Sequence, residues 1–226
     1  MILGKALTEY YAGERSKELI VWSSKAKKEP MDMGIFFSAF DDYNEVEKEA
    51  LRQCSGHILD IGAGAGRHSL WLAENGHKVR ALEPDLALCK LMRQRGLQDV
   101  VEAKLEDHNG KYDTLLLMMN GLGLAGYHDS LADYIADLGR CLAEGGQILA
   151  DCSSIDYLPK GKIKEQKADE ITFWFEYDGV KGEPFPWLFA EQGYAMESFE
   201  KCGFRVEVLV DQPRERYLLQ ARRDAR

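Results

Sequence analysis

The sequence predicts one α/β domain: a doubly wound, mostly parallel seven-stranded sheet, covered by helices as a three-layer sandwich and closed by a C-terminal antiparallel hairpin. Three observations predict it. Between residues 57 and 152, short apolar runs alternate with stretches of helical period, the pattern of βαβ units. One run, residues 112–119 (YDTLLLMM), is almost wholly apolar, as a central parallel strand covered on both faces must be. From Val206 onward the pattern becomes strict alternation: Val206, Val208 and Val210 on one strand, Asp211, Gln212 and Pro213 as a turn, and residues 217–221 returning.

The first strand is His57–Ile61 (HILDI), followed by a helix over residues 67–75 that Gly76 stops. Residues 78–83 form the second strand. Asp85 caps a helix reaching Arg95, with Leu88, Leu91 and Met92 on one face and Gly96 closing it. Val100 and Val101 mark a short third strand, and residues 112–119 a fourth. Leu131, Tyr134, Ile135, Leu138 and Leu142 recur at steps of three or four, a helix expected to end at Gly145 and Gly146. Residues 147–152 give a fifth strand, and residues 197–202 lie in a helix stopped by Gly203.

The domain proper is expected over residues 44–226. Two regions stand outside the alternation: residues 1–43, read as a helical, aromatic lid segment, and an insertion at about 153–193. The first holds Tyr10, Tyr11, Trp22, Phe36, Phe37 and Phe40; the second holds ITFWFEYDG and PFPWLF. The plainer reading has these rings packing over the sheet edges; the functional one has them closing over a ligand.

A chain of 226 residues with 45% hydrophobic and 30% charged residues has the composition of a globular domain rather than of a disordered segment. Its 29 basic and 38 acidic residues leave a net charge of -9, which argues against a nucleic-acid partner. The five cysteines, at 54, 89, 141, 152 and 202, form no CxxC pair, so neither a disulfide framework nor a zinc site is expected and a reducing cytoplasm is. Lys5 and Glu9 interrupt the N-terminus before an apolar run of signal length. The longest apolar stretch, residues 114–126, falls short of the ~20 residues a bilayer requires, so no membrane partner is expected.

The informative segment is ILDIGAGAGR, residues 58–67, between the first strand and the first helix. Glycines there let the chain turn tightly and let a ligand approach backbone amides, at the place where doubly wound sheets bind ligands. Glu83 ends the second strand, where a carboxylate can accept from both hydroxyls of a ribose. A dinucleotide fingerprint, G-x-G-x-x-G, would need a third glycine at position 67, and this chain has Arg67.

An apolar strand, an acidic residue, a G-x-G-x-G turn and an acid ending the next strand resemble the class I S-adenosylmethionine-dependent methyltransferases, over roughly residues 44–221 and including the terminal hairpin. LAEGGQILADCS resembles the family's turn before its fifth strand, with Glu144 in the place of a proline. The resemblance implies a Rossmann-like methyltransferase fold and S-adenosyl-L-methionine as cofactor. It implies that Gly62, Ala63 and Gly64 lie against the methionine and ribose, that Asp60 holds the amino group, and that Glu83 binds the ribose hydroxyls. Pro84 and Asp85 would border the adenine. For the acid that accepts from the adenine amino group the register leaves Lys104, Glu106 and Asp107 open; Glu106 is the choice, with the Leu105 amide beside it. Asn120 would face the methyl-donor end.

Methyl transfer from a sulfonium needs mainly alignment, so no catalytic residue is assigned. If a base is used, the candidates are Tyr127, His128, Asp156 and Tyr157. For His128 the plainer role is at the start of a helix, and so it is for His68. The D/N/S-P-P-Y/F signature of amino-directed nucleic-acid enzymes is missing, since Asn120-Gly121-Leu122-Gly123 stands in its place. No metal is expected, although Asp151, Asp156 and Asn120 are the residues that could converge on one. An acidic surface and two aromatic regions favour a small, partly apolar acceptor under a lid. The alternatives are an NAD(P)-dependent oxidoreductase, which Arg67 and the hairpin oppose, and a non-catalytic S-adenosylmethionine-binding protein.

Overall fold

The computed structural model describes residues 1–25, 28–153, 169–212 and 216–223. Helix α1 (Ile2–Tyr11) and strands β1 (Leu19–Ser23) and β2 (Glu29–Met31) precede α2 (Glu45–Gln53). The alternating part follows as β3 (His57–Ile61), α3 (Arg67–Glu74), β4 (Lys78–Leu82), α4 (Leu86–Gln94), β5 (Val100–Val101), β6 (Tyr112–Leu117), α5 (His128–Cys141) and β7 (Leu142–Ser153). After it come β8 (Glu170–Tyr177), β9 (Val180–Lys181), β10 (Phe185–Leu188), α6 (Gln192–Lys201), β11 (Arg205–Gln212) and β12 (Arg216–Arg222).

Among the described residues the main sheet has seven strands in the order β11-β12-β7-β6-β3-β4-β5. Strands β3 to β7 run parallel, and β12 is antiparallel to both β7 and β11. The chain enters at β3, winds outward to β5, then restarts at β6 on the other side of β3. The strand order therefore reverses between β3 and β6, which places a ligand crevice beyond their carboxyl ends. Alternate residues feed two cores, as a strand's period of two requires. Leu59, Leu115 and Ile148 join α5 and α6 on one face, and Ile58, Leu116 and Leu149 join α2 and α3 on the other. Asn44 and Glu47 close a capping box on α2, and Asp85 Oδ1 accepts from the Ala87 amide at 2.9 Å to start α4, as its place in the sequence predicts.

The expected end of α5 is displaced. The helix stops at Cys141, and Leu142, which keeps the helical spacing, is already the first residue of β7. Gly145 and Gly146 lie inside that strand, where the pairing with β6 jumps from Tyr112↔Leu142 to Thr114↔Gln147. Gly145 has φ +70°, and a side chain on Gly146 would stand 3.0 Å from both the Asp113 carbonyl and Leu142. The glycine pair makes a bulge rather than a helix stop. Pro213, expected in the hairpin turn, lies outside the described residues.

The two aromatic regions meet in a second, antiparallel sheet of order β10-β8-β1-β2, with β9 on β8. Residues 1–43 thus contribute two strands besides a helix. Strand β1 pairs with β8 from Leu19↔Tyr177 to Ser23↔Phe173. One face carries Val21, Phe173, Phe175, Phe185 and Trp187; the other carries Trp22 stacked on Trp174 at 6.0 Å. At one end Leu19 and Tyr177 share a core with Ala6 and Leu7 of α1 and Leu88 and Leu91 of α4. At the other end Trp187 lies against Gly123, where any side chain would collide with its indole.

Candidate functional site

Gly62, Gly64 and Gly66 take φ of +70°, +58° and +82°, left-handed positions that cost other residues energy. The turn is tied to the neighbouring strand: the Gly62 and Ala63 amides both donate to the Leu82 carbonyl, at 2.9 and 3.2 Å. The three glycines serve different neighbours. A β-carbon on Gly66 would stand 2.7 Å from Met92 Cγ of α4, and one on Gly62 would stand 3.0 Å from Leu124. On Gly64 the nearest atom would be Phe36 at 3.9 Å, so Gly64 alone of the three has room for a β-carbon.

Glu83, one residue past β4, is buried and accepts from the Gly64 amide at 2.9 Å and the Asp85 amide at 3.0 Å. Burial pushes its carboxyl up to about 7 against the pull of those donors. Pro84 is exposed beside it, while Asp85 is buried against Gly4 of α1. Asp60 is buried and accepts from the Ser69 hydroxyl at 2.6 Å; its pKa is raised by burial.

Past β6 the chain turns through Met119 and Asn120, both at φ +58°, an uncommon conformation for non-glycine residues that concentrates at functional sites. Neighbours hold it. The Asn120 amide donates to Asp151 Oδ2 at 3.3 Å, its side chain donates to the Leu188 carbonyl at 3.1 Å, and its Oδ1 accepts from the Ser153 amide at 3.1 Å. Asp151 is wholly buried, with burial raising its pKa and Oδ1 left without a hydrogen-bond partner.

The structure thus gathers Gly64, Glu83 and Asp85 in one hydrogen-bonded set and joins Asn120 to Asp151. Glu106 does not enter either set: its side chain is 63% exposed and pairs with Lys104 at 3.3 Å. Leu105 is buried, and its carbonyl accepts from Arg140 at 3.0 Å. Tyr127 is exposed. His128 Nε2 pairs with Asp169 Oδ2 at 2.8 Å, and its backbone amide donates to Glu170 at 2.8 Å. His68 lies buried against Glu47 at 3.0 Å, pushed down to about 4 chiefly by burial, and is therefore neutral. Asp156 and Tyr157 lie outside the described residues. Among the described residues no cluster of three metal-ligating side chains forms, and no helix is long and apolar enough to cross a membrane.

Arg67, noticed in the sequence only for not being glycine, is buried and clasps the N-terminal segment over the glycine turn. Its guanidinium donates to the Ile35 carbonyl at 2.9 Å and the Ser38 hydroxyl at 2.7 Å, forms an ion pair with Glu47, and lies over the Tyr43 ring at 4.6 Å. The available signal was electrostatic: a cation in a helix's first turn opposes the dipole and needs acidic company. Four large apolar side chains that stay exposed, Ile35, Leu86, Leu124 and Tyr127, stand on this clasped segment, at the start of α4 and on the loop after β6.

A family model described as a methyltransferase domain matches residues 59–150. The whole chain is similar to an S-adenosylmethionine-dependent methyltransferase from Bacteroides fragilis crystallised with S-adenosyl-L-homocysteine: 28% identity, 97% of this chain, 93% of that one and a TM-score of 0.89. Its fold is also that of the sugar N-methyltransferase KedS8 from Streptoalloteichus, at 16% identity over 86% of this chain and 94% of that one, TM-score 0.62. It is likewise that of the amino pentose methyltransferase CalS10 from Micromonospora echinaspora, at 14% identity over 80% and 92%, TM-score 0.56. A search of curated proteins finds no match.

Proposed function

We propose that this chain, a class I S-adenosylmethionine-dependent methyltransferase, transfers a methyl group in line to a small-molecule acceptor held between the glycine turn and the aromatic second sheet. The bound donor supplies a methyl group on a sulfonium, already activated, so the protein's work is binding and alignment. The observation that carries the reading is the Gly64–Glu83 pair: a buried carboxylate 2.9 Å from the amide of the one glycine in the turn that has room beside it.

Glu83 is suited to accept from the ribose hydroxyls, and Gly62, Ala63 and Gly64 to lie along the methionine and ribose. Asp60, oriented by Ser69, is assigned to the amino group, and Asn120 to the methyl-donor end. Pro84 and the Leu105 amide border the adenine in this reading, with Glu106 leaving Lys104 to accept from its amino group. The cofactor in the crystals of the Bacteroides fragilis protein, similar along nearly its whole length, supports the same ligand class. An acidic chain whose crevice is roofed by rings favours a small acceptor over a polyanion.

Calorimetric titration with S-adenosylhomocysteine, with NADH and NADP as controls, tests the reading. One equivalent of the homocysteine compound is expected to bind and neither nicotinamide. Glu83→Ala is expected to weaken binding about 10- to 100-fold, the loss of charged hydrogen bonds worth roughly 1.5–3 kcal/mol, with the fold intact. Binding of a nicotinamide alone, or unchanged affinity in the variant, overturns it.

A further inference from the structure

We infer that the ring-bearing face of the second sheet is the acceptor subsite and that the acceptor it selects is an arylalkylamine, an alkylamine that carries an aromatic ring. The inference rests on the methyltransferase reading above and names the substrate class of that site. Strand registry puts Phe173 opposite Phe185 and Val21 opposite Phe175, so these side chains share one face with Trp187. Phe185 sits at the centre, 5.3 Å from Phe175, 6.2 Å from Phe173 and 6.1 Å from Trp187, in tilted and edge-on arrangements. All four rings are only half-buried.

The face is bounded at both ends by packing. Tyr177 and Leu19 are sealed against α1 and α4, and Trp187 is seated on Gly123 in the turn after β6. The open rings therefore span from one rim of the crevice to the other, continuous with the turn that carries Asn120. Rings left half-open in such a span offer faces and edges to one more ring, an interaction worth about 0.5–1.5 kcal/mol per pair beyond area burial.

The chemistry of the face selects the nucleophile. Strands β1, β8 and β10 present Leu19, Val21, Ser23, Ile171, Phe173, Phe175, Tyr177, Phe185 and Trp187 there, none of them acidic, basic or histidine; the carboxylate on the same face, Glu29 opposite Val21, is exposed on the edge strand β2, at the other side of the sheet from Phe185. A hydroxyl acceptor calls for a base at the reacting oxygen, whereas an alkylammonium gives its proton to water before it enters the site and the neutral amine then carries a free lone pair. That pair forms the new N–CH3 bond as the C–S bond breaks with its electrons passing to sulfur; the methylammonium formed then gives its extra proton to solvent. Positive charge grows on nitrogen during the step, and ring faces attract it.

The test uses the full chain saturated with S-adenosylhomocysteine and titrates phenethylamine by calorimetry, with glucosamine and phenol as parallel probes. Phenethylamine is expected to bind more tightly than either. Phe185→Leu, which keeps an apolar side chain on the strand but removes the ring, is expected to weaken it about fivefold, the scale of one aromatic contact, while changing homocysteine-compound affinity less than about twofold. With the methyl donor, N-methylphenethylamine is the expected product. Failure of phenethylamine to bind, glucosamine or phenol binding as tightly, or an unaffected Phe185→Leu variant overturns the subsite while the methyltransferase reading stands. Failure of the wild-type chain to bind S-adenosylhomocysteine removes both.

Discussion

At Glu83 two requirements meet on one carboxyl. Burial raises it to about 7, while the Gly64 and Asp85 amides favour the ionised form without restoring the ordinary value. Ribose hydroxyls donating to it add to the ionised side, so ligand binding lowers its pKa and expels a proton from molecules that held one. The sign follows: affinity for S-adenosylhomocysteine is expected to rise from about pH 6 to about pH 8, and Glu83→Gln to flatten the rise. Calorimetry in two buffers of different ionisation enthalpy reads the released proton directly; no release near pH 7 would remove the ribose role. The glycines beside it separate structure from binding. Gly66→Ala drives a methyl group into Met92 and is expected to cost about 1–3 kcal/mol of stability in thermal melts. Gly64→Ala meets only Phe36 at contact distance, so it is expected to cost about 1 kcal/mol for its left-handed backbone and to lose ligand affinity instead. Equal destabilisation by both would contradict the division.

Among the elements, the helix that begins at Arg67 shows what a sequence pattern hides. The turn before it and the acid after β4 were legible because each lies next to its own strand, where spacing alone fixes the place. Arg67's partners are not local: Ile35 and Ser38 come from the segment before the sheet, and Glu47 from α2. A reading by period has no access to contacts that only folding brings together. The end of α5 failed for a related reason, since Leu142 continues the helical spacing while its strand pairing with Tyr112 decides its conformation. Because Arg67 and Glu47 are both buried, Arg67→Ala leaves the Glu47 carboxylate with the Asn44 amide and neutral His68 but without its cation. Urea unfolding is expected to show a loss of about 3–5 kcal/mol, with Arg67→Met combined with Glu47→Leu recovering most of it. A loss below 1 kcal/mol in the single variant would mean that Asn44 and His68, rather than Arg67, satisfy Glu47.

For the whole molecule, the main sheet could be read strand by strand because its order follows from short connections, whereas the second sheet joins β1 to β8 across most of the chain. Aromatic residues on both of its faces also blur the alternation that marks a half-buried strand. Yet the two sheets are coupled at identifiable places. Phe36 faces Gly64, Arg67 fixes residues 35–38 over the glycine turn, and Asn120 ties the loop after β6 to the Leu188 carbonyl at the end of β10. A ligand that orders the glycine turn and the Asn120 loop therefore acts on both supports of the second sheet at once. Hydrogen exchange in the intact chain is expected to slow together in β1, β8 and residues 33–38 when S-adenosylhomocysteine is added, while β11 and β12, on the far edge of the main sheet, keep their rates. Slowing confined to residues 62–66 and 83–85 would show a preformed crevice under an independent roof. Slowing across the second sheet would make the roof part of the cofactor response, and acceptor affinity would then have to depend on the cofactor bound.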